Sequence, residues 1–151
     1  MNGARAVGSE GDDLSNPKWQ WAPAAYLVCL LVMNILSTPF APDVMPDECD
    51  ENSRNCDHRL ILLDVGEEEL HKAMEEWADS RGFTTTFSEG HIVDRTLFMQ
   101  FPDDVTYLNQ CGWVEVHSES RLGGSDFGVN SDRIDDLEGF LLSYEFETTC
   151  Q

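Results

Sequence analysis

From Ala22 to Phe40 the chain runs through nineteen residues without a charge, APAAYLVCLLVMNILSTPF. At about 1.5 Å of rise per residue, a helix of that length crosses a hydrocarbon layer about 30 Å thick. Trp19 and Trp21 stand in front of the run, where an aromatic belt marks a water–lipid boundary. Pro23 suits a helix start, where its missing N–H costs nothing, and Pro39 suits a stop. Two other readings fit less well. A cleaved secretory signal has a basic start and a small-x-small cleavage site, but this start is nearly neutral and Thr38-Pro39-Phe40-Ala41-Pro42 follows the run. A core helix would show a polar face, and this run has almost none.

Charge sets the expected orientation. Two basic residues, Arg5 and Lys18, face three acidic ones before the run, and seven basic residues face twenty-six acidic ones after it. Lys and Arg favour the side from which a chain is inserted. Nothing basic occurs between Phe40 and Arg54. The N-terminus is therefore expected inside and the C-terminal part in an oxidising compartment. No Arg- and Ser-rich leader precedes the run, which favours the mitochondrial inner membrane, with thylakoid and bacterial inner membranes as alternatives. The chain divides into a polar segment, 1–18, a transmembrane helix, 19–40, an acidic neck, 41–59, and a soluble domain, 60–151.

Cysteine usage agrees with that topology. Cys29 lies in the apolar run as a small filler. Cys49, Cys56, Cys111 and Cys150 all fall beyond it, and an even count in an oxidising compartment reads as two disulfides. Three pairings exist; Cys49 with Cys56 closes the shortest loop and leaves Cys111 with Cys150. The competing metal reading takes Cys49, Cys56 and His58, at a spacing poor for zinc.

The soluble part is long enough for one modest core. Leu70, Ala73, Met74 and Trp77 fall at i, i+3, i+4 and i+7, which predicts a helix over Val65–Arg81. Glu67, Glu68 and Glu69 suit its first turn and Gly82 its stop. Strands are expected at Phe83–Phe87, Ile92–Phe101, Val105–Leu108 and Trp113–Ser118, with Pro102-Asp103-Asp104 as a turn. A last helix runs from Ser131 to Tyr144, with Ile134, Leu137 and Leu141 on one face and Ser131 as its cap. The fold class is α+β: one N-terminal transmembrane helix, then an antiparallel sheet and two helices.

The stretch Ser118–Asn130, SESRLGGSDFGVN, is the most distinctive soluble sequence. Its residues Ser118, Ser120, Arg121, Gly123, Ser125, Asp126, Gly128, Val129 and Asn130, with Arg133 beyond, match the pattern S-x-S-R-x-G-x-S-D-x-G-V-N-x-x-R. In this the chain resembles the uncharacterised DUF1499 family. Pro102-Asp103-Asp104-Val105 resembles that family's D-D-V strand entry. Cys49 and Asn55-Cys56 resemble its C-x-x-x-P-N-C element, with one extra residue between the cysteines and Arg54 where proline is usual. The resemblance spans Cys49 to Leu142 and implies one compact domain; it implies no activity.

Two roles for the loop follow from its residues. In the structural one, Arg121 pairs with Asp126 while Ser120, Ser125 and Asn130 bond to backbone. In the other, Arg121 and N–H groups near the helix start hold an anion, against the repulsion of Asp126, Asp132, Asp135 and Asp136. No phosphate-loop or dinucleotide motif occurs. His58, His71, His91 and His117 are scattered, and Ser118 beside His117 lacks a nucleophile elbow. Asp103-Asp104 and Asp135-Asp136 lack calcium spacing and read as solvated charge. No catalytic set and no cofactor is expected; a bound lipid is compatible with the apolar helix, whose Asn34 suits contact with another helix.

A formal net charge of −20 excludes nucleic acid as a partner. These features predict a non-catalytic accessory subunit of a multi-subunit membrane complex, in a respiratory or photosynthetic electron-transport membrane. One alternative is an acidic docking module for a soluble basic electron carrier. A second is a ligand-binding or enzymatic domain that uses the Arg121–Asn130 loop.

Overall fold

The computed structural model describes residues 17–42, 44–97 and 99–150. The predicted polar segment therefore lies outside the described residues up to residue 16. A 3-10 turn, Pro17–Trp21, leads into helix α1, Ala22–Ser37. The helical stretch Trp19–Phe40, 22 residues long, is long and apolar enough to cross a membrane. Most of its surface is bare: Trp21 is 72% exposed and Leu27 63%.

Strand β1, Cys56–Ile61, precedes helix α2, Glu67–Arg81. Then come β2, Thr85–Ser88, β3, His91–Arg95, β4, Pro102–Asn109, β5, Val114–Ser120, and helix α3, Val129–Ser143. The five strands form one antiparallel sheet in the order β1-β5-β4-β3-β2. Strands β2 to β5 meander, and α2 carries the chain from β1 across to the far edge. The α+β class is as the sequence predicts.

Both helices cover one face of this sheet. Leu70, Ala73, Met74 and Trp77 of α2 and Ile134, Leu137 and Leu141 of α3 are buried against Ile92, Val105, Tyr107, Val114 and Val116. Alternation along β4 and β5 puts Val105, Tyr107, Val114 and Val116 on the core face. Trp77 reaches past the core to donate from Nε1 to Asp136 Oδ2 at 3.0 Å.

Four expectations change. The neck does not run to residue 59, because its last residues form the edge strand β1. Strand β3 ends at Arg95: the Thr96 N–H donates to Phe101 O and the Gln100 N–H to Thr96 O, which closes a loop. Pro102-Asp103-Asp104 opens β4 instead of turning. The first turn of α3 begins at Gly128, at φ +88°, and not at Ser131. Asp126 serves that turn, accepting the Gly128 N–H at Oδ1 and the Asn130 N–H at Oδ2.

Two disulfides join Cys49 to Cys56 and Cys111 to Cys150; Cys29 is free and exposed on α1. The second bridge pins the C-terminal tail, whose Thr148 N–H and hydroxyl both donate to Glu69 Oε2. Closure entropy grows with loop length, and the bridges span separations of 7 and 39 residues. Thermal unfolding in detergent should therefore show Cys111→Ser/Cys150→Ser losing about 4 kcal/mol, and Cys49→Ser/Cys56→Ser about 2.5 kcal/mol.

Candidate functional site

The loop after β5 is organised by two arginines, and each is held by carboxylates from the sheet. Arg133 of α3 is buried. Its Nε donates to Asp94 Oδ2 at 3.0 Å and its Nη2 to Asp103 Oδ2 at 2.6 Å. Asp94 also accepts from Arg81 Nη2 at 2.8 Å and from the Thr85 hydroxyl at 2.8 Å. Thus β2, β3, β4, α2 and α3 meet at one charged knot beneath the helices. Buried charges of this kind hold only when each is paired and hydrogen-bonded. Asp103 and Asp104 are accordingly buried residues, not solvated loop charge. Asp135 and Asp136 do stay exposed and pair with Arg59 and Arg81.

Arg121 pairs with Asp104, not with Asp126. Its Nε and Nη2 each meet the Asp104 carboxylate at 2.6 Å, one nitrogen to each oxygen. His91 Nε2 lies 2.6 Å from Asp104 Oδ1. Asn130 locks the loop to the sheet: its Oδ1 accepts from the Ser118 hydroxyl at 2.6 Å, and its Nδ2 donates to Asn55 O at 2.7 Å and Ser120 Oγ at 3.0 Å. Ser125 lines a cleft beside Phe127. Both guanidiniums of the loop are therefore occupied by protein carboxylates, and the anion-holding role has no free cation in Arg121 or Arg133.

The sheet face away from the helices carries a second group. Register places His58 of β1 opposite His117 of β5, His117 opposite Thr106 of β4, and Thr106 opposite His91 of β3. The scattered histidines of the sequence so become three members of one transverse row. His58 Nδ1 lies 3.3 Å from His117 Nδ1, and His58 Nε2 lies 3.1 Å from Glu115. His117, Thr106 and Asp104 are buried although they face away from the core. The neck runs over them: Phe40, Pro42 and Pro46 close a cavity of about 150 Å³ above Asp104, His117 and Arg121. The row arises from strand register, and each strand contributes one histidine, so no local pattern in the sequence signals it.

The Cys49–Cys56 bridge lies at one end of it. Cys56 Sγ is 3.4 Å from His117 Nε2, and ligand atoms of Cys49, Cys56 and His117 lie within 4.8 Å of one another. The histidine beside the sulfurs is thus His117 and not His58. While the sulfurs are bonded to each other they offer no thiolate to a metal.

In the 3-10 turn that leads into α1, Trp19 and Trp21 are exposed. Near the other end Asn34 faces its own domain: Nδ2 donates to Leu30 O at 2.9 Å, and Oδ1 accepts from Arg95 Nε at 3.4 Å.

Burial favours the neutral form of several of these groups. It would raise the Asp94 carboxyl, but the Thr85 hydroxyl, Arg133 and Arg81 outweigh it and hold Asp94 below the usual carboxylate range. Asp104 is likewise lowered: Arg121 and His91 overcome its desolvation. Burial pushes His117 below the ordinary imidazole value against the pull of Glu119.

The family model described as protein of unknown function (DUF1499) matches residues 63–141, and the chain belongs to that family. Neither a curated protein nor a solved structure matches the chain.

The charged knot makes stability depend on pH. Lowered carboxyl values in the fold stabilise it above the unfolded value of about 3.9 and cease to as pH falls through the folded values. Lowered His117 removes stability as pH drops below about 6.5, where the unfolded imidazole takes up a proton. Urea titrations should show a mild decline from pH 7 to 5, reduced in His117→Gln, and a steep loss below about pH 4. Arg133→Leu should cost about 3–5 kcal/mol at pH 7, and the deficit should shrink as pH falls below the unfolded carboxyl value of about 3.9, where the charged pair ceases to stabilise the fold.

Proposed function

We propose that this protein is a single-pass membrane subunit: α1 is the span, and the domain is held on the far, oxidising side as a non-catalytic accessory part of a multi-subunit assembly. The observation that carries this reading is the exposure of α1. Of the residues from Ala22 to Ser37, Ser37 alone is buried, and Leu27, Val28, Leu31 and Ile35 are each at least 60% exposed. Apolar surface on that scale is stable in lipid or against partner helices and unfavourable in water. Two disulfides support an oxidising compartment. Lys18 before the run supports an inside N-terminus. An energy-converting membrane, with the mitochondrial inner membrane first, suits the orientation.

The anion-binding alternative loses its motive once Arg121 and Arg133 are paired. The docking alternative keeps one. Asp135 and Asp136 of α3 and Glu67 of α2 are more than half exposed at their side chains, and together with the acidic excess of the domain they attract a basic soluble protein.

Native electrophoresis after mild detergent extraction tests the subunit reading. Migration within a larger complex is the expected result; migration as a free 17.0 kDa protein would contradict it. If the acidic surface docks a basic carrier, the affinity should fall severalfold between low and physiological ionic strength, as measured by interferometry with the carrier. An affinity indifferent to salt would remove that role.

A further inference from the structure

We propose that the Cys49–Cys56 bridge is a reversible thiol–disulfide exchange site for an external dithiol, with His117 as the base that serves the Cys56 sulfur. Exchange at this bridge adds a redox state to the accessory part and depends on no membrane placement. The bridge ties the neck to the first residue of β1, and both of its cysteines are half-buried. It is therefore within reach of an incoming sulfur, while the imidazole beside it is buried.

The neighbouring hydrogen bonds assign the tautomers. Glu115 Oε1 lies 3.1 Å from His58 Nε2, and a carboxylate only accepts. With both rings neutral, His58 carries its proton on Nε2. Its Nδ1 then accepts from His117 Nδ1, 3.3 Å away. His117, whose burial favours the neutral ring, is left with a bare lone pair on Nε2. That nitrogen lies 3.4 Å from Cys56 Sγ and 3.5 Å from Glu119 Oε2. Neither a bridged sulfur nor a carboxylate has a proton to give it. His117 is only 2% exposed, and a buried acceptor without a donor costs free energy. A thiol at Cys56 supplies the missing donor. The hydrogen bonding is thus incomplete with the bridge closed and complete with it open.

Opening the bridge leaves Cys56 in place, because other bonds hold the chain before it. Asn55 Nδ2 donates to Ser120 O at 3.1 Å and to Gly123 O at 3.0 Å. The Ser120 N–H donates to Asn55 O at 3.0 Å and the Asp126 N–H to Arg54 O at 3.1 Å. The bridge spans a separation of only 7 residues, so its loss frees little chain. Cys49 belongs to the neck, outside the sheet, and has the freedom to carry an added group.

The exchange then runs in two steps. One thiolate of the external dithiol attacks Cys49 Sγ; the Cys49–Cys56 bond breaks and Cys56 leaves with the bonding pair. Cys56 is the better leaving sulfur, because it takes a proton from solvent and its S–H donates to His117 Nε2. The second thiolate of the dithiol attacks its partner sulfur in the mixed disulfide, and Cys49 leaves and is protonated. Two electrons pass from the dithiol to the bridge, and the two protons the dithiol loses are matched by those the cysteines gain. An external disulfide of the same class reverses the sequence. His117 Nε2 then takes the Cys56 proton, which Glu119 beside it attracts, and the thiolate closes on Cys49 Sγ.

The full chain in mild detergent, with a metal chelator present, tests this. In a glutathione redox buffer the Cys49–Cys56 bridge should open and close reversibly while far-UV circular dichroism stays unchanged. Thiol tagging and peptide mapping read the state of the bridge. A structural bridge resists such a buffer, so a bridge that stays closed, or that opens only as the chain unfolds, overturns the proposal. The base is tested in Cys29→Ser/Cys49→Ser, which leaves Cys56 as a free thiol and Cys111–Cys150 bridged. Alkylation of Cys56 by iodoacetamide at pH 7 should run severalfold faster in the folded chain than in urea, because His117 raises the thiolate fraction. That advantage should vanish in His117→Gln with the fold retained. A folded chain no faster than the unfolded one, or an advantage that survives His117→Gln, overturns the proposal.

Discussion

The surface that α1 leaves uncovered is the constraint from which the rest follows. Apolar side chains removed from water gain about 25 cal/mol for each Å², and α1 offers them on nearly every side. The domain touches this helix along one stripe near its C-terminal end, through contacts such as Arg95 with Asn34. A helix gripped in that way brings the Arg121–Asn130 loop and the Thr96–Phe101 loop to the same level as its last turns.

The domain itself is tied by charge as well as by its core. Arg133 and Arg121 draw three aspartates, Asp94, Asp103 and Asp104, into the fold. A small sheet with only two covering helices buries a limited apolar area, and the ion pairs fix how its elements meet. They also account for the residues that mark the family at this loop. Ser118, Ser120, Asn130 and Arg133 bond to one another, and Asp126 fixes the first turn of α3. These positions hold the loop in shape. The apolar residues between them, Leu122 and Phe127, contribute nothing to that network and point to a role outside the domain.

The helices were legible because their spacing is local. Leu70, Ala73, Met74 and Trp77 announce α2 within two turns, and Ile134, Leu137 and Leu141 announce α3. The α+β class follows from similar short-range signals, and the short Cys49–Cys56 loop leaves Cys111 to pair with Cys150. The failures share one cause, which is distance along the chain. Asp103-Asp104 looks like a turn until Arg133 and Arg121, 30 and 17 residues away, are brought to it. Strand β1 reads as neck because Asp57, His58 and Arg59 find their partners on β5 and α3. Ser131 has the right chemistry for a cap, but Gly128 supplies the left-handed turn that starts the helix sooner. The row of His58, His117 and His91 depends on strand register, which no single stretch of sequence carries.

If α1 lies in lipid, alkaline carbonate, which strips proteins held to membranes by charge or by partners alone, cannot remove the chain. The measurement that meets this most directly is carbonate extraction of membranes that hold the full chain, followed by immunoblotting of pellet and supernatant. The account predicts retention in the pellet, with release on detergent. Recovery in the carbonate supernatant would contradict the span, and with it the oxidising-side domain.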